Sequence, residues 1–466
     1  MPRGPFVDAL SFEAFQSAAL RAAAVVRAKP PGTRWFLDCD TDADGLCAAA
    51  VCANALRAVG HRFTIRASRD KHDAAYRALF DTDADGHILL DKGSSHLLTL
   101  AQGAQRTGRP VIVLDHHNLP EPTPPGVTML NPRDAGLDGS RDASAATTTV
   151  AFALALAGDA AKAWAPVGLS GAIGDFQHVP DWKGWNLHLL EQSRAAGHVR
   201  DLPQPLLIGV TLAQAIAQRQ PDIPQLHDDL AACEALLDAL GIDPESEVED
   251  LNHEERTRLV SALTLRILAA GRSPDEAAAL VQPVELNVRL GTSLRHAFRI
   301  VDACGREGQA ATGIAYLLGD RTAKSEALAI FSRYKSTLHD GLKALAAQGT
   351  ALHAAVQSAW TQDPSYTGMV AGLGMVHVVR DRARPLAILA VRPDGQVQVS
   401  TRGLERMVRK GLDLGKACSI AAKAVGSEGG GHPVAAGAVI AKDRADAFLD
   451  VLDHALSQQG FLEAAA

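Results

Sequence analysis

Short apolar runs alternate with segments of helical spacing over the first 190 residues of this 466-residue chain. Apolar runs of this length are typical of buried strands, and their alternation with helices predicts a parallel sheet covered on both faces. The predicted strands span residues 34–38, 62–67, 87–91 and 111–115, and the predicted helices span residues 11–28, 46–59, 71–80 and 95–105. The first part of the chain is therefore expected to be an α/β domain.

Three of the predicted strands end on an aspartate, namely Asp38, Asp91 and Asp115. Ligands of parallel sheets bind outside the carboxyl ends of the strands. We therefore expect these acids to converge on one crevice.

Beyond residue 143 the chain divides into a region of mainly helical patterns and a second region in which strand-like and helix-like patterns alternate. Helical patterns rich in alanine and leucine run from about residue 143 to residue 345, and a second alternating region begins near Gly368. Its strand-like runs lie at 375–380, 386–392 and 397–402, followed by a helix-like stretch at 411–425 and the run EGGGHPVAAGAVIA. We predict an N-terminal parallel-sheet domain over 1–190, a helical connector over 191–345 and a smaller C-terminal α/β domain over 346–466.

The charge balance limits the partners. The chain has 46 Lys and Arg against 53 Asp and Glu, a formal net charge of −7, and 5% aromatic residues. Proteins that hold duplex DNA nonspecifically usually have a basic surface, and single-strand binding uses aromatic stacking. A nucleic-acid site here is expected to be a confined groove, and a small nucleotide substrate stays open.

The sequence also suggests a location. Charges and prolines interrupt the apolar runs before they reach the roughly 18–20 residues that span a bilayer. The first residues lack the apolar core of a signal peptide and include Asp8 and Glu13. The six cysteines form no C-x-x-C pair and resemble small core residues. We expect a reduced, cytoplasmic protein with no membrane partner.

The sharpest local pattern is the aspartate-rich turn Asp38-Cys-Asp40-Thr-Asp42-Ala-Asp44-Gly45. Alternating carboxylates can direct several oxygens at a divalent cation. A calcium loop is the competing interpretation, but it needs a glutamate at its twelfth position, which is Val51 when counted from Asp40. The hexapeptide DTDADG recurs at 81–86, where it precedes a strand, and we interpret that copy as a solvated turn.

Two further patterns add donors. Asp115-His116-His117 follows a predicted strand, and an imidazole together with a carboxylate suits Mn²⁺ or Zn²⁺. A buried, hydrogen-bonded histidine pair is the structural alternative. Asp175 ends the apolar segment 171–175, a weak signal alone.

Taken together and in this order, over about 140 residues, these patterns resemble the DHH phosphoesterase superfamily. STRG at 400–403 and GGGHPVAAGA at 429–438 resemble the DHH-associated domain, which binds substrate in exonuclease and oligoribonuclease members. Residues 301–306 and 313–320 resemble the connecting segment of archaeal RecJ-like nucleases. The resemblance implies a DHH catalytic domain, a connector and a DHH-associated domain.

The resemblance also implies roles for single residues. The family holds two divalent ions, Mn²⁺ foremost, with Mg²⁺ as the alternative. The implied ligands are Asp42 and Asp44 as the paired acids, Asp91 as the bridging carboxylate, and His116 and Asp175 at the second ion, with His117 beside the scissile phosphate. Many members place a histidine before the paired acids, where this chain has Asp40 or Asp38. Bacterial RecJ proteins have an aspartate at the Asp40 position, which favours Asp40, and the choice stays open.

The C-terminal run supplies candidate substrate contacts. Glycines allow backbone N–H groups to approach a phosphate, and a histidine adds a donor. With the resemblance, Gly430, Gly431, His432 and Arg402 are expected to bind substrate. A tight turn before the strand PVAAGAVIA is the structural alternative for the glycines.

The resulting hypothesis is a Mn²⁺-dependent phosphodiesterase of the RecJ-like branch that shortens single-stranded DNA or RNA in the cleft between the two α/β domains. Two metals would hold the attacking and leaving oxygens, with a bridging hydroxide as the nucleophile. One alternative is a phosphodiesterase for short oligoribonucleotides, cyclic dinucleotides or 3′-phosphoadenosine phosphate. Another is a non-enzymatic scaffold that binds replication or repair proteins. Cleavage polarity and oligomeric state stay open.

Overall fold

The computed structural model describes residues 6–120, 122–179, 181–205, 207, 211–217, 219, 222–278 and 280–462. The described residues fall into two compact units. Unit 1 lies within Met1–Leu206 and Ala277–Ser332, and unit 2 within Leu207–Glu276 and Arg333–Ala466. The stretch 191–345, expected to be a connector, thus contributes to both units.

The strands form three sheets. In chain order they are β1 Arg34–Cys39, β2 Arg62–Ala67, β3 Gly86–Leu90, β4 Val111–Leu114, β5 Val127–Leu130, β6 Val199–Pro205, β7 Val281–Asn287, β8 Thr292–Ser293, β9 Ala351–Leu352, β10 Gln357–Trp360, β11 Leu386–Val391, β12 Gln396–Arg402, β13 Glu428–His432 and β14 Ala435–Ala441.

The α-helices are α1 Phe6–Arg27, α2 Ala43–Ala58, α3 Asp73–Ala78, α4 Leu97–Thr107, α5 Ala145–Ala157, α6 Ala165–Gly174, α7 Gly184–Ala195, α8 Leu212–Ala217, α9 Leu230–Ala239, α10 His253–Ala269, α11 Pro274–Ala278, α12 Leu294–Arg306, α13 Ala310–Leu318, α14 Arg321–Gln348, α15 Thr367–His377, α16 Glu405–Val408, α17 Leu414–Ala424 and α18 Ala445–Ser457.

Unit 1 is built on a five-stranded parallel sheet in the order β2-β1-β3-β4-β5. The chain reverses its direction of strand addition between β1 and β3, and in doubly wound sheets ligands bind at this switch point. Helices α2 and α5 contact one face of the sheet. On the other face, Tyr76 of α3 and Leu100 of α4 form a buried cluster with Leu89 and Val113. The predicted α/β fold class is confirmed.

Unit 2 contains a mixed sheet in the order β13-β14-β12-β11-β10-β9, in which β10 and β11 are parallel and the other pairs are antiparallel. The GGGH run is not a turn, because Gly429–His432 lie in the edge strand β13, paired with β14. The run 375–380, expected to be a strand, begins inside α15, since Val370, Ala371 and Met375 are buried at helical spacing against β11 and β12.

The stretch expected to be mainly helical, 143–345, also contains a small antiparallel sheet. Strands β6, β7 and β8 pair in that order. They were not predicted, because β6 contains two prolines and several polar residues and so lacks the apolar pattern of a strand. Contrary to expectation, Ala145–Gly174 is long and apolar enough to cross a membrane by length and composition alone. It forms two helices, α5 and α6, joined by a 3-10 helix, and their packing against α2 accounts for the apolar composition.

Candidate metal centre

The parallel ladder brings three acids to one edge of the sheet. The backbone amides of Asp40, Asp91 and Asp115 each donate to the carbonyl of the last residue of the neighbouring strand, at 3.0 to 3.2 Å. The three residues therefore lie side by side at the carboxyl ends of β1, β3 and β4. The expected convergence at this edge is present, with Asp40 in the place expected for Asp38.

Asp91 is held in an unusual state. It is 2% exposed, and its backbone φ of 61° lies in the left-handed region that non-glycine residues seldom adopt. Its Oδ1 is buried and accepts no hydrogen bond. Buried polar atoms are almost always partnered, so an oxygen in this state points to a missing ligand.

His116 faces the same space with a lone pair. Its Nδ1 lies 2.6 Å from the carbonyl oxygen of Gly139, which can only accept, so Nδ1 carries the proton. In the neutral ring Nε2 is then an acceptor, and it lies 3.3 Å from Asp91 Oδ1, 3.3 Å from Asp175 Oδ2 and 3.9 Å from Asp44 Oδ2. A metal-bound histidine is typically oriented in this way, through its other nitrogen.

Asp44 is fixed by the start of α5. Its Oδ1 accepts from Ser144 Oγ at 2.7 Å and from the Ala146 amide at 3.1 Å, and its Oδ2 accepts from the Ala145 amide at 2.7 Å. A carboxylate has about four acceptor positions, so one remains for a cation. The helix start thus sets the orientation of this acid.

The donors form three overlapping groups. Within each group the candidate ligand atoms lie within 4.8 Å of one another, and the groups are Asp40, Asp42 and Asp91; Asp44, His116 and Asp175; and Asp91, Asp115, His116 and His117. Asp91 belongs to two of them. All seven residues predicted for metal binding or for the phosphate contact, Asp40, Asp42, Asp44, Asp91, His116, His117 and Asp175, are therefore brought together in unit 1.

The crowding of carboxylates perturbs their protonation. Burial and then the charges of Asp42 and Asp44 raise the pKa of Asp91 well above its ordinary value. Burial and then the charge of Asp44 raise the pKa of Asp175 to about 8. For His116, burial acts to lower the pKa, but Asp91 and the other acids outweigh it and raise the pKa well above the ordinary value, so without a cation these acids draw a proton to Nε2, at the place where a cation would otherwise bind. The site holds more negative charge than its own residues neutralise.

Asp38 lies outside these groups. It is inside β1, in register with Arg66 of β2, and its Oδ1 accepts from Arg66 Nε at 2.8 Å. Its Oδ2 lies 2.9 Å from Nζ of the buried Lys92. Asp40, in contrast, belongs to one of these groups, and its Oδ2 lies 2.5 Å from Lys71 Nζ. The geometry favours Asp40 as the first ligand.

Asp115 anchors the two histidines. Its Oδ2 accepts from the Ser94 amide and hydroxyl, and its Oδ1 accepts from the His116 amide and lies 2.7 Å from His117 Nδ1. Burial acts to raise the pKa of Asp115, but these hydrogen bonds and the histidine charges lower it far below the ordinary range. The His117 side chain is 49% exposed.

The second DTDADG copy lies at the opposite, amino-terminal edge of the sheet, where Arg34 pairs with Asp83 and Asp85. These two side chains are 85% and 48% exposed. This copy is the solvated turn that the sequence predicted.

The four predicted substrate contacts lie in unit 2. Gly430, Gly431 and His432 are on the edge strand β13, with His432 exposed. Arg402 ends β12 and donates to the Thr401 carbonyl at 2.9 Å. A Cβ at Gly431 would lie 2.5 Å from the Ala435 oxygen, whereas a Cβ at Gly430 would meet nothing within 4 Å. The backbone is therefore open to a ligand at Gly430.

Sequence reasoning missed the residues that position the ligands. Ser144 carries a detectable signal, since it caps α5 in the pattern of a capping box with Thr147. Gln177, whose Nε2 donates to the Gly139 carbonyl at 3.0 Å, and Gly139 itself carry none, because a backbone carbonyl has no sequence signature. The contact of Lys71 with Asp40 could not be predicted, because the two residues are distant in sequence.

The donor set fits divalent cations. Several carboxylate oxygens and one neutral imidazole nitrogen suit Mn²⁺, and oxygen-rich groups suit Mg²⁺. In the neutral form of the His116 ring, Asp91 Oδ1 and the Nε2 lone pair face each other at 3.3 Å with no donor between them. A cation bound between them would give both atoms a partner.

Comparison with known proteins agrees with this geometry. Residues 36–171 match the profile of the DHH family, N-terminal domain, and residues 349–458 match that of the DHHA1 domain. The chain is similar to an uncharacterized protein, MJ0831, of Methanocaldococcus jannaschii, with 27% identity over 363 residues covering 75% of this chain and 76% of the relative.

Solved structures share the fold. Exonuclease RecJ bound to manganese matches with a TM-score of 0.59 and 18% identity over 97% of both chains. RecJ with Mn²⁺ from Thermus thermophilus matches with a TM-score of 0.57 and 18% identity over 95% of this chain, which spans only 55% of that protein. CDC45 from Entamoeba histolytica matches with a TM-score of 0.63 and 10% identity over 96% of this chain and 99% of that one.

Proposed function

Since this chain belongs to the DHH superfamily and carries a C-terminal DHHA1 domain, we propose that it is a metal-dependent phosphodiesterase that removes nucleotides from single-stranded DNA or RNA. The observation that carries the proposal is the buried Oδ1 of Asp91, which lies 3.3 Å from Nε2 of His116. Around these two atoms the remaining carboxylates converge from the ends of two strands, β1 and β4, and of two helices, α2 and α6.

Two divalent cations, Mn²⁺ foremost, are proposed for this centre. Asp40 and Asp42 would hold one, Asp44, His116 and Asp175 the other, and Asp91 would be shared. Bound cations supply a water of lowered pKa and offset the charge that develops on the phosphate.

The protein's own residues orient the reaction. Asp115 Oδ1 lies 2.7 Å from Nδ1 of His117 and fixes this half-exposed ring, which is proposed to lie beside the scissile phosphate; as an imidazolium it would donate a hydrogen bond from Nε2 to a phosphate oxygen. The carbonyl of Gly139 keeps the His116 ring turned toward the acids. In unit 2, the open backbone at Gly430 and the donors of His432 and Arg402 are proposed to bind the strand.

The test is Mn²⁺-dependent hydrolysis of end-labelled single strands of 2, 5 and 30 nucleotides, as DNA and as RNA. The wild-type protein should shorten the 30-mer, and Asp42→Ala should abolish the reaction. Asp83→Ala is the matched control, because Asp83 occupies the same position in the second DTDADG copy. Equal turnover in both variants would refute the assignment.

A second candidate is hydrolysis of small nucleotides such as short oligoribonucleotides, cyclic dinucleotides or 3′-phosphoadenosine phosphate. The net charge of −7 and the aromatic content of 5% favour it. Turnover confined to the 2-mer, the 5-mer or a cyclic dinucleotide in the same assay would select this function over the exonuclease.

A further inference from the structure

Phe176 is exposed and strained beside the candidate metal centre. It follows Asp175 directly, its side chain is 71% exposed, and its backbone φ is 57°. A bulky residue in the left-handed region is an outlier that costs free energy, and such strain clusters at functional sites. An exposed aromatic ring gains little from burial to offset that cost.

The residues on either side of Phe176 are fixed. Asp175 Oδ2 lies 3.3 Å from His116 Nε2. Gln177 is 0% exposed, donates to the Gly139 carbonyl and accepts from Asn186 Nδ2 at 2.7 Å. The amide of Phe176 itself donates to the Ile173 carbonyl at 3.0 Å. The position of Phe176 is therefore set by the same network that orients His116.

Neither packing nor backbone geometry requires a phenylalanine here. A glycine would adopt this φ without strain, and a polar residue would suit the exposure. The ring is therefore available to a molecule that binds at this edge. Consecutive Cα atoms are about 3.8 Å apart, so the ring begins one residue from a carboxylate of the metal centre.

We propose that Phe176 is a stacking platform for one nucleobase next to the scissile phosphate. The inference rests on the proposed function and adds the contact that holds the reacting nucleotide. Stacking on an aromatic ring tolerates every base, because every base has a π-face. One such platform at the centre also suits a chain with few aromatic residues, since only the nucleotide beside the cut needs to be held.

The experiment uses the full chain, Mn²⁺ and 12-mer single strands that carry an abasic tetrahydrofuran on the 5′ or the 3′ side of the bond that is cut. The wild-type protein should lose about tenfold in kcat/KM when one of these bases is missing, within the range for base–aromatic stacking. Phe176→Ala should cleave intact and abasic strands at nearly the same rate. Phe176→Trp should restore the difference.

Two controls separate this role from a structural one. Leu98→Ala removes another exposed apolar side chain of unit 1, 55% exposed, and should keep the wild-type ratio. Phe176→Gly should leave the melting temperature unchanged or raise it, because it relieves the left-handed strain. A ratio near one in the wild type, or a ratio retained in Phe176→Ala, would overturn the inference. Absence of any Mn²⁺-dependent cleavage by the wild type would instead refute the proposed function, and the inference with it.

Discussion

Asp91→Asn is expected to stabilise the metal-free protein while removing its metal response. Asparagine keeps the shape of the side chain and tolerates the left-handed φ of 61°, so the backbone is preserved. It removes a buried carboxylate whose Oδ1 has no hydrogen-bond partner and whose neighbours Asp42 and Asp44 are also acidic. With its Nδ2 in the place of Oδ1, asparagine can donate to Nε2 of the neutral His116 ring, and it so relieves a cost that the wild type bears without metal.

The size of the effect follows from the burial. A buried polar group without a partner costs about 1–3 kcal/mol. At about 2 °C per kcal/mol, the lower end of the range for domains of 150–250 residues, the melting temperature in EDTA should rise by about 2–6 °C. The gain should grow as the pH rises, because the wild-type Asp91, with its raised pKa, loses its bound proton and the variant has none to lose.

Thermal unfolding with EDTA and with Mn²⁺ measures both effects. Mn²⁺ at 100 times its Kd stabilises the wild type by about 2.7 kcal/mol, or about 5 °C, and this shift should vanish in the variant together with turnover. Asp83→Asn, an exposed acid, should change the free energy of unfolding by less than about 0.5 kcal/mol. A variant that melts below the wild type in EDTA, or keeps its Mn²⁺ shift, would show that Asp91 is not an uncompensated ligand.

Four further outcomes are expected. Gly429→Ala should destabilise the protein by about 1–3 kcal/mol in urea unfolding, because its Cβ would lie 2.8 Å from that of Ala422. Gly430→Ala should fold as the wild type but raise the KM for a single strand. Ser144→Ala should cost about 1–2 kcal/mol in the same unfolding assay and weaken Mn²⁺ binding in calorimetry, since it removes the cap of α5 and a donor to Asp44. In EDTA, the melting temperature should fall from pH 6.5 to 8, because the folded protein holds a proton on Asp175, whose pKa is about 8, that the unfolded chain lacks. A flat profile would contradict the crowding of charge at the site.

The parallel sheet and the cluster of acids and histidines at its edge were largely predictable from the sequence. The apolar runs that end on acids predict the strands. Because the carboxyl ends of parallel strands lie at one edge of the sheet, they also predict that Asp91 and His116 lie close together there. The resemblance favoured Asp40 over Asp38, but the residues alone did not decide between them, because the difference depends on β1 pairing with β2, which places Arg66 beside Asp38.

Elsewhere, local sequence misled for physical reasons. The run 375–380 has a strand-like composition, yet its first residues continue α15 because the helix buries Met375 against the sheet of unit 2. Strand β6 contains Pro203 and Pro205 and pairs with a segment some 80 residues later, information that no local pattern holds. The contact by which the Gly139 carbonyl orients the His116 ring likewise forms only in the folded chain.

The shared carbonyl of Gly139 also bears on which substitutions the site tolerates. Because His116 is oriented by a backbone atom, no change of side chain at position 139 can retune that contact directly. Nor can the position accept a larger residue, since a Cβ would lie 2.2 Å from the His116 carbonyl oxygen and 2.9 Å from Arg133 Nε. A single side-chain substitution at position 139 therefore cannot adjust the orientation of the His116 ring gradually. Only a change that moves the whole loop can alter it. Chains that keep this loop and differ in activity would have to vary at the rim of the site, where residues such as Phe176 lie.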